Sequence, residues 1–253
     1  MSNPSSRAPV EIDGYRFEPF DLVRLLRTVF ELQDQESFGV FTDLADPRDV
    51  VDLKFLRLDG NVPQKHAWNT LYQGLLENRE ALGVRDVAFY AYEETGGSNL
   101  DLPDTVMTPH GEVLGLREVL KRHSIVLYMG RWSATAPITA LAKEMGFRGA
   151  TMHGTNDRIL ATGLAVDYEQ VSARAERMRQ AMSGADSVVL EWEVEGQPWK
   201  LELTMGRQDA QKSHGLVRTK GDIANLPAGE VYYVPQGGSG FLPQKFEAVS
   251  YTH

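Results

Sequence analysis

The chain has 253 residues and a formal charge of −9, enough length and apolar content for one large domain or two smaller ones. Its basic residues are scattered, which argues against the clustered basic face that a nucleic acid or an anionic membrane requires. It has no cysteine, so disulfides, thiolate zinc sites and a cysteine nucleophile are excluded.

Met1 to Pro9 are rich in Ser, Asn and Pro without the apolar core of a signal peptide, and no later run could span a bilayer. A soluble, cytoplasmic protein is expected. Asp21 precedes Leu22, Leu25, Leu26, Val29 and Leu32, the spacing of one helical face behind a cap. Phe38 to Thr42 reads as a short strand, followed by an acidic loop through Asp43, Asp46, Pro47 and Asp49. Val51, Leu53 and Phe55 alternate with polar residues as a half-buried strand does. Trp68, Leu71, Tyr72, Leu75, Leu76 and Leu82 predict a helix over 64–82.

Val87 to Tyr92 is a nearly continuous apolar strand, as in a sheet covered on both faces. The Gly-Gly-Ser-Asn loop after it lacks the spacing of a phosphate-cradling loop and reads as a turn. A short helix over 113–122, a strand over 125–129, a helix from Thr135 to Gly146 capped by Thr135, and a strand over 148–152 follow. This alternation predicts an α/β domain around a mainly parallel sheet. Asp167 and Gln170 form a capping box for a helix whose stripe is Tyr168, Val171, Ala175, Met178 and Met182, ending at Gly184. A methionine stripe of this kind reads as core packing.

After Gly184 the period changes to two. Val188, Leu190, Trp192 and Val194 alternate with glutamates, Gly196-Gln197-Pro198 turns the chain, and Trp199, Leu201, Leu203 and Met205 alternate again. That predicts an antiparallel hairpin and divides the chain into an α/β domain, 1–184, and a smaller α+β domain, 185–253. In Asn225-Leu226-Pro227-Ala228-Gly229-Glu230-Val231-Tyr232-Tyr233-Val234-Pro235, one carboxylate opens a β-branched and aromatic run bounded by turn formers. A strand would hold that Glu230 carboxylate in fixed geometry for a ligand, or present it as an ordinary surface residue.

Three segments in order carry a family resemblance: Phe147-Arg148-Gly149-Ala150-Thr151-Met152-His153-Gly154, then Leu164-Ala165-Val166-Asp167-Tyr168 with its helix, then Asn225 to Val231. From about Arg131 to Pro235 the chain resembles the thermophilic metallo-aminopeptidases (aminopeptidase T), a family that includes iron-dependent dihydroxypyridine ring-cleaving dioxygenases. The resemblance implies a metal ligand at Glu230; the family's other ligands lie beyond this segment, and the second domain is short by comparison. A catalytic divalent metal needs about three protein ligands. His214 and His253 are the local histidines, and neither lies in an HExxH-type pattern. His153 and Asp157 could meet across a turn, and Gly238-Ser239-Gly240 is no nucleophile elbow.

The resulting expectation is a metal-free relative that binds a peptide or small molecule in the cleft between its domains, in a role such as peptide maturation. The candidate binding residues are Trp192, Trp199, Arg207, Lys212, His214, Arg218, Tyr232 and Tyr233, with Glu230 a former ligand. No cofactor is expected on this reading, and a shortened domain should expose apolar faces that bind a partner or pair in a homodimer. The alternative is an active metal-dependent aminopeptidase or dioxygenase using zinc, iron or manganese, its site completed by a second subunit.

Overall fold

The computed structural model describes residues 9–12 and 14–243, so His253 lies outside the described residues. The chain forms two compact units, 1–171 with 215–228 and 172–214 with 229–253.

In the first unit, β1 (Val10–Ile12) and β2 (Tyr15–Phe17) form an antiparallel pair. Helix α1 (Leu22–Phe30) starts as expected at Asp21, whose side chain accepts a hydrogen bond from the Arg24 amide at 3.0 Å. Strand β3 (Ser37–Leu44) is buried at every residue. The expected strand at Val51, Leu53 and Phe55 is instead part of a 3-10 segment, Pro47–Arg57, in which Asp52 and Leu53 are left-handed, each with φ 55°. Asp46 and Pro47 explain the change. The aspartate accepts from the Arg48 amide at 2.9 Å and the proline sits in the first turn, so a helical start overrides the alternation.

The helix expected over 64–82 is interrupted. It runs from α2 (Val62–His66) through a π-helical turn (Ala67–Tyr72) and α3 (Gln73–Glu77) to α4 (Arg79–Leu82), with Asn78 bonding back to the Gly74 carbonyl at the break. Strands β4 (Asp86–Glu93), β5 (Thr105–Met107) and β6 (Val113–Gly115) precede α5 (Leu116–Leu120), so the helix expected from Val113 begins three residues later. Pairing of Val113 with Met107 draws that segment into the sheet. Then follow β7 (Ile125–Tyr128), α6 (Thr135–Met145), β8 (Arg148–Thr151), α7 (Asp157–Ala161) and α8 (Tyr168–Met182), the last passing into the second unit.

The second unit holds β9 (Ser187–Val194), β10 (Gln197–Thr204) and β11 (Gln211–Ser213). The chain then returns to the first unit for β12 (Ile223–Asn225) before β13 (Glu230–Tyr232) and β14 (Gly237–Gly240). A boundary drawn near Ala185 from the change of period does not contain this return, because parallel pairing of β12 with β8 leaves no local pattern.

The large sheet has the order β12-β8-β7-β3-β4-β5-β6. Its first five strands are parallel, and β5 and β6 form an antiparallel margin. The expected α/β class is therefore observed. Alternate residues of β3 serve separate cores: Phe38 and Val40 pack with α1, Phe55 and Leu71, whereas Phe41 packs with Tyr90, Tyr128 and Ile138. In the second unit the expected hairpin is present, with Trp199 opposite Trp192 and left-handed Glu195 and Gly196 in the turn. Strand β14 joins β10; a side chain at Gly240 would place its Cβ 2.2 Å from the Lys200 carbonyl oxygen, so only glycine allows that approach. Met178 is 58% exposed, so the expected core stripe of α8 stops at Ala175.

Two buried polar groups lead to stability predictions. Arg148 pairs with Glu36, donates to the Phe30 and Val217 carbonyls and stacks over the Phe30 ring. Removing one partner strands the other charge, so Arg148→Ala should cost about 3–5 kcal/mol in urea unfolding. The His123 ring bonds the Tyr90 hydroxyl at 3.0 Å, and burial lowers its pKa to about 4 from 6.5. The unfolded chain takes up this proton below about 6.5 and the folded chain only near 4. Stability on the order of 3 kcal/mol, fully present above pH 6.5, should drain away between these values. Thermal melts across that window should show a flatter profile in His123→Gln.

Candidate functional site

The parallel strands β3, β4, β7, β8 and β12 end on one edge. From β3 the chain proceeds to β4 on one side, and from β7 to β8 on the other. The carboxyl ends of β3 and β7 therefore flank a topological switch point, where open α/β sheets form their ligand crevice.

Asp43, the penultimate residue of β3, stands at this point with no exposed surface. Its Oδ1 accepts from Gln64 Nε2 at 2.8 Å and from the Arg131 amide at 2.7 Å; Oδ2 accepts from the Trp132 amide at 2.8 Å. A buried carboxylate with these donors fixes both the strand end and the turn after β7. Gly130 makes the turn possible, since a Cβ there would stand 2.4 Å from Asp43 Oδ1. The Arg131 side chain stays 46% exposed and faces Glu94, just after β4, at 3.8 Å. Burial first, then the Asp43 charge, pushes the Tyr92 hydroxyl well above its usual range, and burial alone pushes up Tyr128. Among the described residues, Tyr128 Oη, Trp132 Nε1 and Gln64 Oε1 have no hydrogen-bond partner.

The same edge carries a line of small polar groups. Asn99 Oδ1 accepts from the Ala136 amide at 3.0 Å and Ser133 Oγ from the Thr135 amide at 3.3 Å. The expected cap, Thr135, is itself the first residue of α6, so its start is satisfied by the Gly-Gly-Ser-Asn loop and Ser133 instead. Thr135 Oγ1 lies 2.7 Å from Thr151 Oγ1, which donates to Asn225 Oδ1 at 3.3 Å. His153, after β8, has its pKa lowered by burial against a hydrogen bond with Asn225 that raises it. Asp157 meets His66 Nε2, at 3.4 Å, rather than His153; Asn156 caps α7. His66 Nδ1 lies 3.3 Å from Thr70 Oγ1 in the π-helical turn, and burial lowers its pKa against the opposing Asp157 charge. A π-turn and the left-handed pair Asp52-Leu53 lie in the two segments following β3; such irregularities concentrate at functional sites.

The residues singled out in the sequence lie elsewhere. Trp192 and Trp199 are cross-strand partners, and the Trp199 ring meets Phe241 at 5.7 Å. Arg207 pairs with Asp186 at 2.6 Å, Lys212 with Glu176 at 2.9 Å, and His214 Nδ1 lies 3.1 Å from Ser172 Oγ. Tyr232 is 46% exposed opposite Gln211, while the Tyr233 hydroxyl is buried. Arg218 belongs to the first unit, where it bonds Glu169 and faces Glu31 at 3.6 Å. Glu230 is exposed opposite Ser213. The run from Asn225 to Pro235 is thus split between the two units at a cis Leu226–Pro227 bond. Among the described residues, no three His, Asp or Glu side chains come together to hold a metal ion, at Glu230 or elsewhere. The described helices include none long and apolar enough to cross a membrane.

No protein-family model and no curated protein matches the chain. A solved structure of a 2,5-dihydroxypyridine dioxygenase from Pseudomonas putida KT2440 is similar, with 13% identity and a TM-score of 0.49. The match covers 85% of this chain and 56% of the dioxygenase, so the chain spans little more than half of that protein's length. This likeness touches the dioxygenase branch of the resemblance, and the aminopeptidase branch finds no support. At this similarity no activity carries over.

Asp43 also supplies a test of the edge itself. In Asp43→Asn one amide N–H must face the Gln64, Arg131 or Trp132 donors, at a cost of about 1–3 kcal/mol for the mismatch. Urea unfolding should show that loss, and hydrogen exchange should speed up at the Arg131 and Trp132 amides. Unchanged exchange there would remove Asp43 from its positioning role.

Proposed function

We propose that the first unit binds a small polar molecule carrying an anionic group at the carboxyl edge of its parallel sheet, with Arg131 as the charge anchor. The observation that carries this reading is the buried Asp43 carboxylate holding the Arg131 and Trp132 amides at the switch point. A backbone pinned in this way fixes the point from which the Arg131 side chain projects, so binding need not order the turn itself. The 3.8 Å contact with Glu94 is long for an ion pair, so the guanidinium retains donors for a ligand carboxylate. Thr135, Thr151, Asn225 and His153 supply neutral hydrogen-bonding groups along the same edge.

A peptide is the other ligand class suggested by the sequence, and its carboxylate would meet the same anchor. Thermal-shift and calorimetric titrations with small mono- and dicarboxylates, and with di- and tripeptides, separate the two classes. One carboxylate class should raise the melting temperature, and Arg131→Ala should weaken its binding at least about tenfold, the loss of one charge-assisted contact of roughly 1.4 kcal/mol. No response to either panel, or full affinity in Arg131→Ala, would refute the reading.

A further inference from the structure

We infer that the apolar face of the β9–β10–β14 sheet is covered by the same face of a second copy of this chain. The inference is independent of the ligand reading and rests on the second unit alone. On one side of this sheet stand Val188, Leu190, Trp192 and Val194 of β9 and Trp199, Leu201 and Leu203 of β10; Glu191, Glu193, Lys200 and Glu202 stand on the other. No residue of β9 or β10 is buried: on the apolar face Val188, Trp192, Trp199, Leu201 and Leu203 are half-buried, and Leu190 and Val194 are exposed. Among the described residues of the whole second unit, only Ala175, Met205 and Ala210 are buried apolar side chains. A sheet this small draws its stability from its hydrophobic face, and covering that face removes more apolar surface from water.

Charge selects the occupant. The apolar face carries no charged side chain, so a partner recognised by ion pairs finds nothing to meet there. The chain's −9 charge and the glutamates behind the face repel acidic surfaces, anionic lipid included. Edge-to-edge pairing of two β9 strands would align the Glu191 and Glu193 rows against each other. Face-to-face packing, with sheets about 10 Å apart, leaves every one of these charges in water and is self-complementary about a two-fold axis.

Area sets the strength. Eight-residue strands at roughly 3.3 Å per residue and about 4.8 Å apart make a face of roughly 350 Å². Phe241, 68% exposed and against the Trp199 ring, and Leu242, 52% exposed, add on the order of 150–200 Å². Two copies together bury roughly 1,000 Å², the lower bound for a specific interface, which corresponds to a weak, reversible dimer.

Sedimentation velocity from submicromolar to several hundred micromolar protein should show a monomer–dimer equilibrium with a micromolar midpoint. Tryptophan emission should move to the blue with the same midpoint, as Trp192 and Trp199 leave water. Leu190→Lys and Val194→Lys, both at exposed positions, should each weaken association at least tenfold with unchanged circular dichroism, and the second stands alone if the first unfolds. Glu193→Lys on the reverse side should leave it intact. A monomer at every concentration, a dimer indifferent to both lysine variants, or a monomer that uses these residues to bind neutral lipid vesicles would each overturn the inference.

Discussion

The carboxylate of Asp43 sits where the middle strand of the large sheet ends, and its hydrogen bonds tie two separate pieces of chain to that point. Burying a charged group in a protein interior is costly unless donors replace the lost water. Here the replacements are two consecutive backbone amides and one side-chain amide, so the cost is offset only in one arrangement of the turn after β7. Gly130 belongs to the same constraint, because the space a side chain would need is already filled by the carboxylate. The shape of the sheet edge follows from that arrangement.

The two units solve the problem of burial differently. The first surrounds a sheet whose central strand is wholly buried, and β3 divides its side chains between a core on each face. Arg148 crosses the polar gap between α1, β8 and the returning segment at Val217 by satisfying carbonyls and a carboxylate at once. The second unit buries few apolar side chains, and its order is held largely by strand ladders, with ion pairs such as the one between Lys212 and Glu176 beside them. Partly exposed pairs of that kind contribute little each.

Glu230 and Asp43 illustrate how a site is read or missed. Glu230 opens a run with strong strand character, yet among the described residues no three metal donors come together there or elsewhere. Asp43 looked like the first residue of an acidic loop, since Asp46 and Asp49 follow within six positions. The available signal was its place at the carboxyl end of a strand in a βα alternation, the edge on which open α/β sheets form their ligand crevice. Its donors come from residues 21 and 88 or more positions away, a separation at which local pattern carries no information.

By itself the sequence determined the α/β class, the principal strands β3, β4, β7 and β8, the caps at Asp21 and Asp167, and the β9–β10 hairpin. These are short-range matters of hydrophobic period and capping chemistry, settled within a few residues. Tertiary structure alone decided that Asn99, 37 positions from Ala136 in the chain, caps α6 and that Asn225 and Glu230 belong to different units. It also decided that Asp43 is the organising acid. Each of these outcomes depends on which distant backbone amide or strand edge lies within hydrogen-bonding reach, and that is known only once the chain has closed on itself.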